Sequence, residues 1–241
     1  MNKVTKFDRY YLHIKQNRWY WYFSIFCRLI LAFAFIAAGV VKVLDERFAS
    51  GLSEVHPMGA YLTALYKTGY YYTFIGISQI LAAILLLIPR TVVLGALLYF
   101  PIILNICILS LALRFEGSFL TSPLMVLANL YILVWNYDRL KYILPFKKLP
   151  IFGIVQGPSK YDNKFPFLFF ASIGIVFILS LFIFIKGFDI MPRNSLSDCK
   201  EQYANTEYEI IGNDFCECVH TKGQVLDVCL EDFEMKKEEK K

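Results

Sequence analysis

The run YYYTFIGISQILAAILLLIPRTVVLGALLYFPIILNICILSLAL, residues 70–113, contains a single charge, Arg90. On either side of Pro89-Arg90, 19 residues (Tyr70–Ile88) and 23 residues (Thr91–Leu113) pass without an acid or a base. Each arm has the length of roughly 20 residues that an α-helix needs to cross hydrocarbon, where backbone groups must be satisfied internally. Two such arms joined by so short a turn form an antiparallel membrane hairpin. The fold class that follows is an all-α membrane protein.

The rest of the chain extends this reading. Hydrophobic residues make up 57% of it and the mean hydropathy is +0.48, values that suit a polytopic protein. Phe119–Tyr137 reads as a fourth span, with Pro123 near its start, where proline costs a helix little. Phe165–Ile185 reads as a fifth. The first span is the apolar Leu29–Val41, bracketed by Arg28 and Lys42, whose long side chains can snorkel to opposite interfaces. No small-residue cleavage site follows it, so a cleavable signal peptide is not expected.

Lysine and arginine counts set the orientation. The first 28 residues carry six (Lys3, Lys6, Arg9, Lys15, Arg18, Arg28) and residues 138–164 carry six more. With five spans these segments and Arg90 share one side, and the two loops on the other side carry only Lys42, Arg47, Lys67 and Arg114. The positive-inside rule then predicts a cytoplasmic N-terminus and a C-terminus outside. Residues 187–241 carry seven basic and thirteen acidic residues, a net of −6, which suits an exported tail. The chain's net charge of +5 is therefore a cytoplasmic-face property, set against anionic lipid and not against nucleic acid.

The organisation expected is a cytoplasmic or interfacial segment 1–27, a four-helix membrane unit 28–137, a cytoplasmic linker 138–164, a fifth transmembrane helix 165–186 and a Cys-containing periplasmic tail 187–241. Residues 7–26 interleave aromatics with Arg, Lys and His, a pattern suited to a helix lying in the interface.

Polar residues inside the spans are the candidates for function, because burying them is costly unless they are paired. At about 1.5 Å per residue, Lys42 falls near the outer interface, Asn105 in the outer half, Gln79 near mid-membrane, and Arg28 and Asn129 in the inner half. Pro101 interrupts the third span one turn before Asn105, so Lys42, Gln79 and Asn105 are expected to line a small polar pocket open to the outer leaflet. The competing reading is that these carboxamides are hydrogen-bonded glue between helices.

Two patterns, Arg28-Leu-x-Leu-Ala-x-x-Phe-x-x-x-Gly39-x-x-Lys42 and Gln79-x-x-Ala-x-x-Leu-Leu-Leu-x-Pro-Arg-Thr-x-x-Leu-Gly95, resemble the DoxX family of small four-span membrane proteins. The resemblance covers about residues 28–137. It implies a four-helix membrane bundle and an association with quinone-linked redox complexes, and hence a quinone as a cofactor. Relatives often carry a glutamate about where Gln79 stands, and glutamine cannot carry a proton.

Other chemistries find no residues. The spans hold only Cys27 and Cys107, on opposite halves of the bundle, and the chain has no Cys-x-x-Cys. They hold no histidine to ligate a haem, and the chain has no phosphate loop or nucleophile motif. In the tail, Cys199-x16-Cys216-x-Cys218-x10-Cys229 allows three pairings. Cys216 and Cys218 are badly placed to bond each other, so each is expected to bond one of Cys199 and Cys229. The rival uses of these thiols are a metal site with His220 and a redox-exchanging Cys-x-Cys. The expectation for the whole is a redox-associated membrane subunit in a bacterial inner (cytoplasmic) membrane, holding a quinone or other small hydrophobic molecule. The alternative is a non-catalytic anchor whose tail docks a membrane or exported partner.

Overall fold

The computed structural model describes residue 11, residues 13–140 and residues 161–240. Most of the basic linker 138–164 and the first ten residues of the N-terminal segment lie outside the described residues. Among the described residues, five helices are long and apolar enough to span a bilayer. They are α1 (Arg18–Val43), α3 (Tyr70–Leu87), α4 (Val92–Ala112), the pair α5 (Glu116–Phe119) and α6 (Thr121–Trp135), and α8 (Phe167–Lys186). The shorter helices are α2 (Pro57–Tyr66), α7 (Tyr137–Leu140), α9 (Leu196–Glu201), α10 (Glu209–His220) and α11 (Leu226–Glu239).

Helices α1, α3, α4 and α6 pack into one bundle. Its core is Leu31, Ala32, Phe35, Ala82, Ala83, Leu86, Ala96, Tyr99, Ile103 and Ile132, with Phe35 stacked on Tyr99 at 3.4 Å between ring centroids. Because lipid is as apolar as leucine, close backbone approach and not hydrophobicity drives this packing. One such close approach is between α1 and α3. A β-carbon on Gly39 would stand 2.7 Å from the Gly76 carbonyl, and one on Gly76 would stand 2.8 Å from the Gly39 carbonyl. The α3–α4 turn is equally tight, with Thr91 Oγ1 donating to the Leu85 carbonyl at 2.9 Å.

Of the aromatic and basic stretch 7–26, residues 13–15 are helical ahead of Asn17, and residues 18–26 already belong to the helix of the first span. Asn17 caps α1, its side chain accepting the Trp19 N–H, and α1 then runs unbroken for 26 residues. Nothing between Arg18 and Val43 interrupts the pattern, since the only glycine, Gly39, lies in the packed seam. The helix is therefore about 39 Å long, and its aromatic head overhangs α3. There Trp19, Tyr20 and Phe23 meet Phe165, Phe169 and Phe170 at the start of α8. The chain at Asp162 is stitched alongside: Arg18 N–H donates to its carbonyl and its N–H to that of Gln16.

Helix α8 buries no residue. Its ring contacts with the bundle lie toward its two ends, in the aromatic cluster below and in Phe119 against Phe184 and Phe188 above. Beyond it, α9, α10 and α11 form a small module with its own core, including Tyr203, Phe215, Val219, Leu226, Leu230 and Phe233.

The Gly39–Gly76 contact gives a direct test. Gly39→Leu should lower thermal stability by about 1–3 kcal/mol, the usual cost of forcing volume into a packed seam. Gly174→Leu, on α8, where an added β-carbon meets nothing within 4 Å, should be near neutral. Thermal unfolding of both variants followed by circular dichroism in detergent separates the two.

Candidate functional site

The seam between α1 and α3 carries the most unusual side chain in the bundle. Lys42 is only 6% exposed, and among the described residues it makes no ion pair. Its Nζ donates to the Ala38 carbonyl at 2.9 Å, one turn back on its own helix. The ammonium also lies 4.5 Å from the centroid of Phe48 and 5.8 Å from that of Tyr72. Two aromatic faces thus stand where a carboxylate would be expected, and they return part of the cost of desolvation. Tyr72 is itself fixed, donating to the Glu46 carbonyl at 2.9 Å and accepting the Phe48 N–H at 2.8 Å. A cleft of about 550 Å³ opens beside these residues, lined by Asp45, Glu46, Glu54, Thr63, Tyr66 and Lys67.

Gln79 lies further down the same seam. It is 2% exposed, and its Oε1 has no hydrogen-bond partner. Asn129, on α6, is fully buried; its amide donates to the Ala96 carbonyl at 3.0 Å while its Oδ1 is left without a partner. Buried polar atoms without a partner are uncommon and costly. Asn129 is therefore half used as interhelical glue, and it and Gln79 each keep a free acceptor.

The expected grouping of Lys42, Gln79 and Asn105 does not form. Asn105 is exposed on the outside of α4, so it joins neither the buried seam nor a pocket with Gln79. Helix α4 is apolar on nearly every face, and the core instead takes Tyr99, Ile103, Cys107 and Ser110. Arg28 also has a role other than gripping headgroups. Its Nε and Nη2 donate to the carbonyls of Leu86 and Leu87, each at 2.7 Å, and so satisfy the last turn of α3.

Two polar clusters escaped the sequence reading because each joins residues far apart in the chain. At the lower end, Asp138 accepts hydrogen bonds from the Tyr11 hydroxyl (2.8 Å) and the Lys15 ammonium (2.9 Å). Burial pushes the Asp138 carboxyl up, but Lys15 and Tyr11 outweigh it and hold the carboxyl below its usual range. At the upper end, Arg114 donates to the Ile190 carbonyl at 2.7 Å and lies over Phe188, while Arg193 pairs with Glu116. Beside these contacts the rings of His56 and His220 approach to 5.3 Å.

The tail cysteines stand in two pairs at disulfide distance, Cys199–Cys216 and Cys218–Cys229, with Cα separations of 5.7 and 5.9 Å. His220 turns to the Pro192 carbonyl and not to the sulfurs. Cys27 and Cys107 are free and buried. No group of three or more His, Cys, Asp or Glu side chains among the described residues is arranged to hold a metal.

No protein-family model matches the chain, and no solved structure matches it. It is 39% identical to the "Uncharacterized protein YwoB" of Bacillus subtilis (strain 168) over 129 residues, 52% of this chain and 82% of that protein. Likeness on that scale places the two in one family.

If Lys42 is kept for a purpose other than stability, removing its charge should relieve the bundle. Lys42→Met is expected to raise stability by about 1 kcal/mol or more, because an unpaired cation leaves the seam and a flexible apolar chain of similar length replaces it. Thermal midpoints in lipid nanodiscs check this. A lower midpoint would make Lys42 a structural residue.

Proposed function

We propose that this member of the YwoB family is a non-catalytic accessory protein of a bacterial cytoplasmic membrane. Its DoxX-like bundle and fifth span anchor the tail module outside the cell membrane, where it docks an exported partner. The observation that carries this reading is the build of the tail. Three helices close over a core of their own and contain both cysteine pairs, yet the module is held to the bundle by few contacts. A module that is packed within and loosely held without is suited to presentation. Disulfides persist in oxidising compartments, in agreement with the charge count that places this end outside.

A second reading has one observation in its favour. The free acceptors of Gln79 and Asn129, with the unpaired ammonium of Lys42, suit a small molecule that carries both a donor and an acceptor, a quinol among them. On that reading the gently purified protein carries a bound quinone, and Gln79→Leu loses it while the bundle stays folded.

Reporter fusions and a deletion test the first reading. Alkaline phosphatase fused after Lys240 should be active and the same reporter placed at Arg90 inactive. In-cell crosslinking to the full chain should capture one exported protein in stoichiometric yield, and deletion of residues 187–241 should abolish that adduct while leaving the bundle in the membrane. An inactive fusion at Lys240, or an adduct that survives the deletion, would overturn the proposal.

A further inference from the structure

The module rests on the bundle through a buried pair of imidazoles. His56, 1% exposed, caps α2: its Nδ1 accepts the Met58 N–H at 3.1 Å. In the neutral ring the proton is therefore on Nε2, which is sealed from solvent and faces the Arg193 backbone without a hydrogen bond of normal geometry. His220, 8% exposed on α10, directs its Nε2 at the Pro192 carbonyl at 2.6 Å, so its proton too is on Nε2. The two rings meet at 5.3 Å with 46° between their planes. Val55 packs against Gly223 beside them, where a β-carbon on the glycine would stand 3.2 Å from Val55.

A second proton has no place in this arrangement. On His56 it would go to Nδ1, convert an acceptor into a donor, and break the cap at Met58. It would also put a positive charge beside His220 in a site closed to water. No carboxylate compensates. The carboxylate of Glu116 is engaged by Arg193, and Arg114 lies within reach of Asp227, Glu234 and Tyr203. Of the titratable groups packed around His56, His220 is the one that acts on it.

We propose that the docking of the tail module is an acid-released latch, in which protonation of His56 expels His220 and frees α9–α11 from the upper face of the bundle. The latch deepens the reading of the tail as an exported, partner-docking module and rests on it, since only an outward face meets acid medium. Burial, and then the nearness of His220, lower the His56 pKa from 6.5 to about 4 in the docked state. A group whose pKa is depressed by docking favours docking fully above its free value and loses that contribution as pH falls toward the docked value. The docking constant should thus drop roughly tenfold per pH unit between about 6.5 and about 4, or about 300-fold in all.

Hydrogen exchange read by mass spectrometry on the full chain in nanodiscs tests the latch, with rates corrected for the intrinsic effect of pH. Peptides spanning 52–60 and 187–195 should lose protection as pH falls from neutral to about 4, while residues 79–99 keep theirs. His56→Asn, which retains a side-chain cap acceptor but does not titrate, should remove the pH dependence; Glu116→Gln should keep it. Protection that is independent of pH in the wild type, or a pH dependence that survives in His56→Asn or vanishes in Glu116→Gln, would overturn the latch. The measurement does not depend on which way the chain threads the membrane, so a failed latch is distinguishable from a failed orientation.

Discussion

The contact of α1 with α3 at Gly39 and Gly76 sets the geometry of everything else in the bundle. In a bilayer there is little hydrophobic gain from bringing two apolar helices together, and the contact energy comes from atoms in van der Waals range. Two glycines facing each other allow the backbones to touch, and that touch fixes the axial register of the pair. With the register fixed, Arg28 falls level with the last carbonyls of α3 and Lys42 falls level with Tyr72. One end of the seam thus spends a cation on closing a helix, and the other end stores a cation against aromatic faces. The register also leaves the first turns of α1 projecting past α3, where aromatic residues and the chain around Asp162 cover them.

That projection explains how α8 is held. A helix with no buried residue has no seam to guide it, and it is placed by its two ends. Below, the ring cluster of Trp19, Tyr20, Phe23, Tyr131, Phe165, Phe169 and Phe170 gathers three helices at one level, each pair worth about 0.5–1.5 kcal/mol beyond its buried area. Above, Phe119 and Arg114 hold Phe188 and the chain that follows. The long face between is left to lipid. A tail carried on such a helix is positioned by its own contacts with the upper loop more than by the helix beneath it.

The spans were legible because a run of uncharged residues of the right length has few alternatives, and Pro89-Arg90 left room only for a tight turn. The cysteine arithmetic was legible for a similar reason: a relaxed bridge cannot join Cys216 to Cys218, and both observed pairs obey that limit. The start of α1 was less legible, because aromatic and basic residues run on both sides of Asn17 and only its side-chain cap marks where the helix begins. Asn105 was misread for a different reason. In a helix that is apolar all round, periodicity carries no information about which face turns inward, and the answer came from where Tyr99 and Ile103 found partners. His56 with His220, and Asp138 with Lys15, were out of reach because docking and not local sequence brings them together.

The tail shows how a short segment obtains a core without help from the bilayer. Closing loops of 17 and 11 residues removes chain entropy worth about 3 kcal/mol each in the loop-closure account. A module of three short helices buries too little apolar surface to match its ordering entropy, and the bridges offset much of that deficit. Bridges at these two cysteine pairs would make the module's stability less dependent on the bundle. Its attachment is then free to be weak, and a weak attachment can be governed by a single proton. Had the tail drawn its stability from the bundle instead, release would have meant unfolding. The buried imidazole pair would then have no state to switch to.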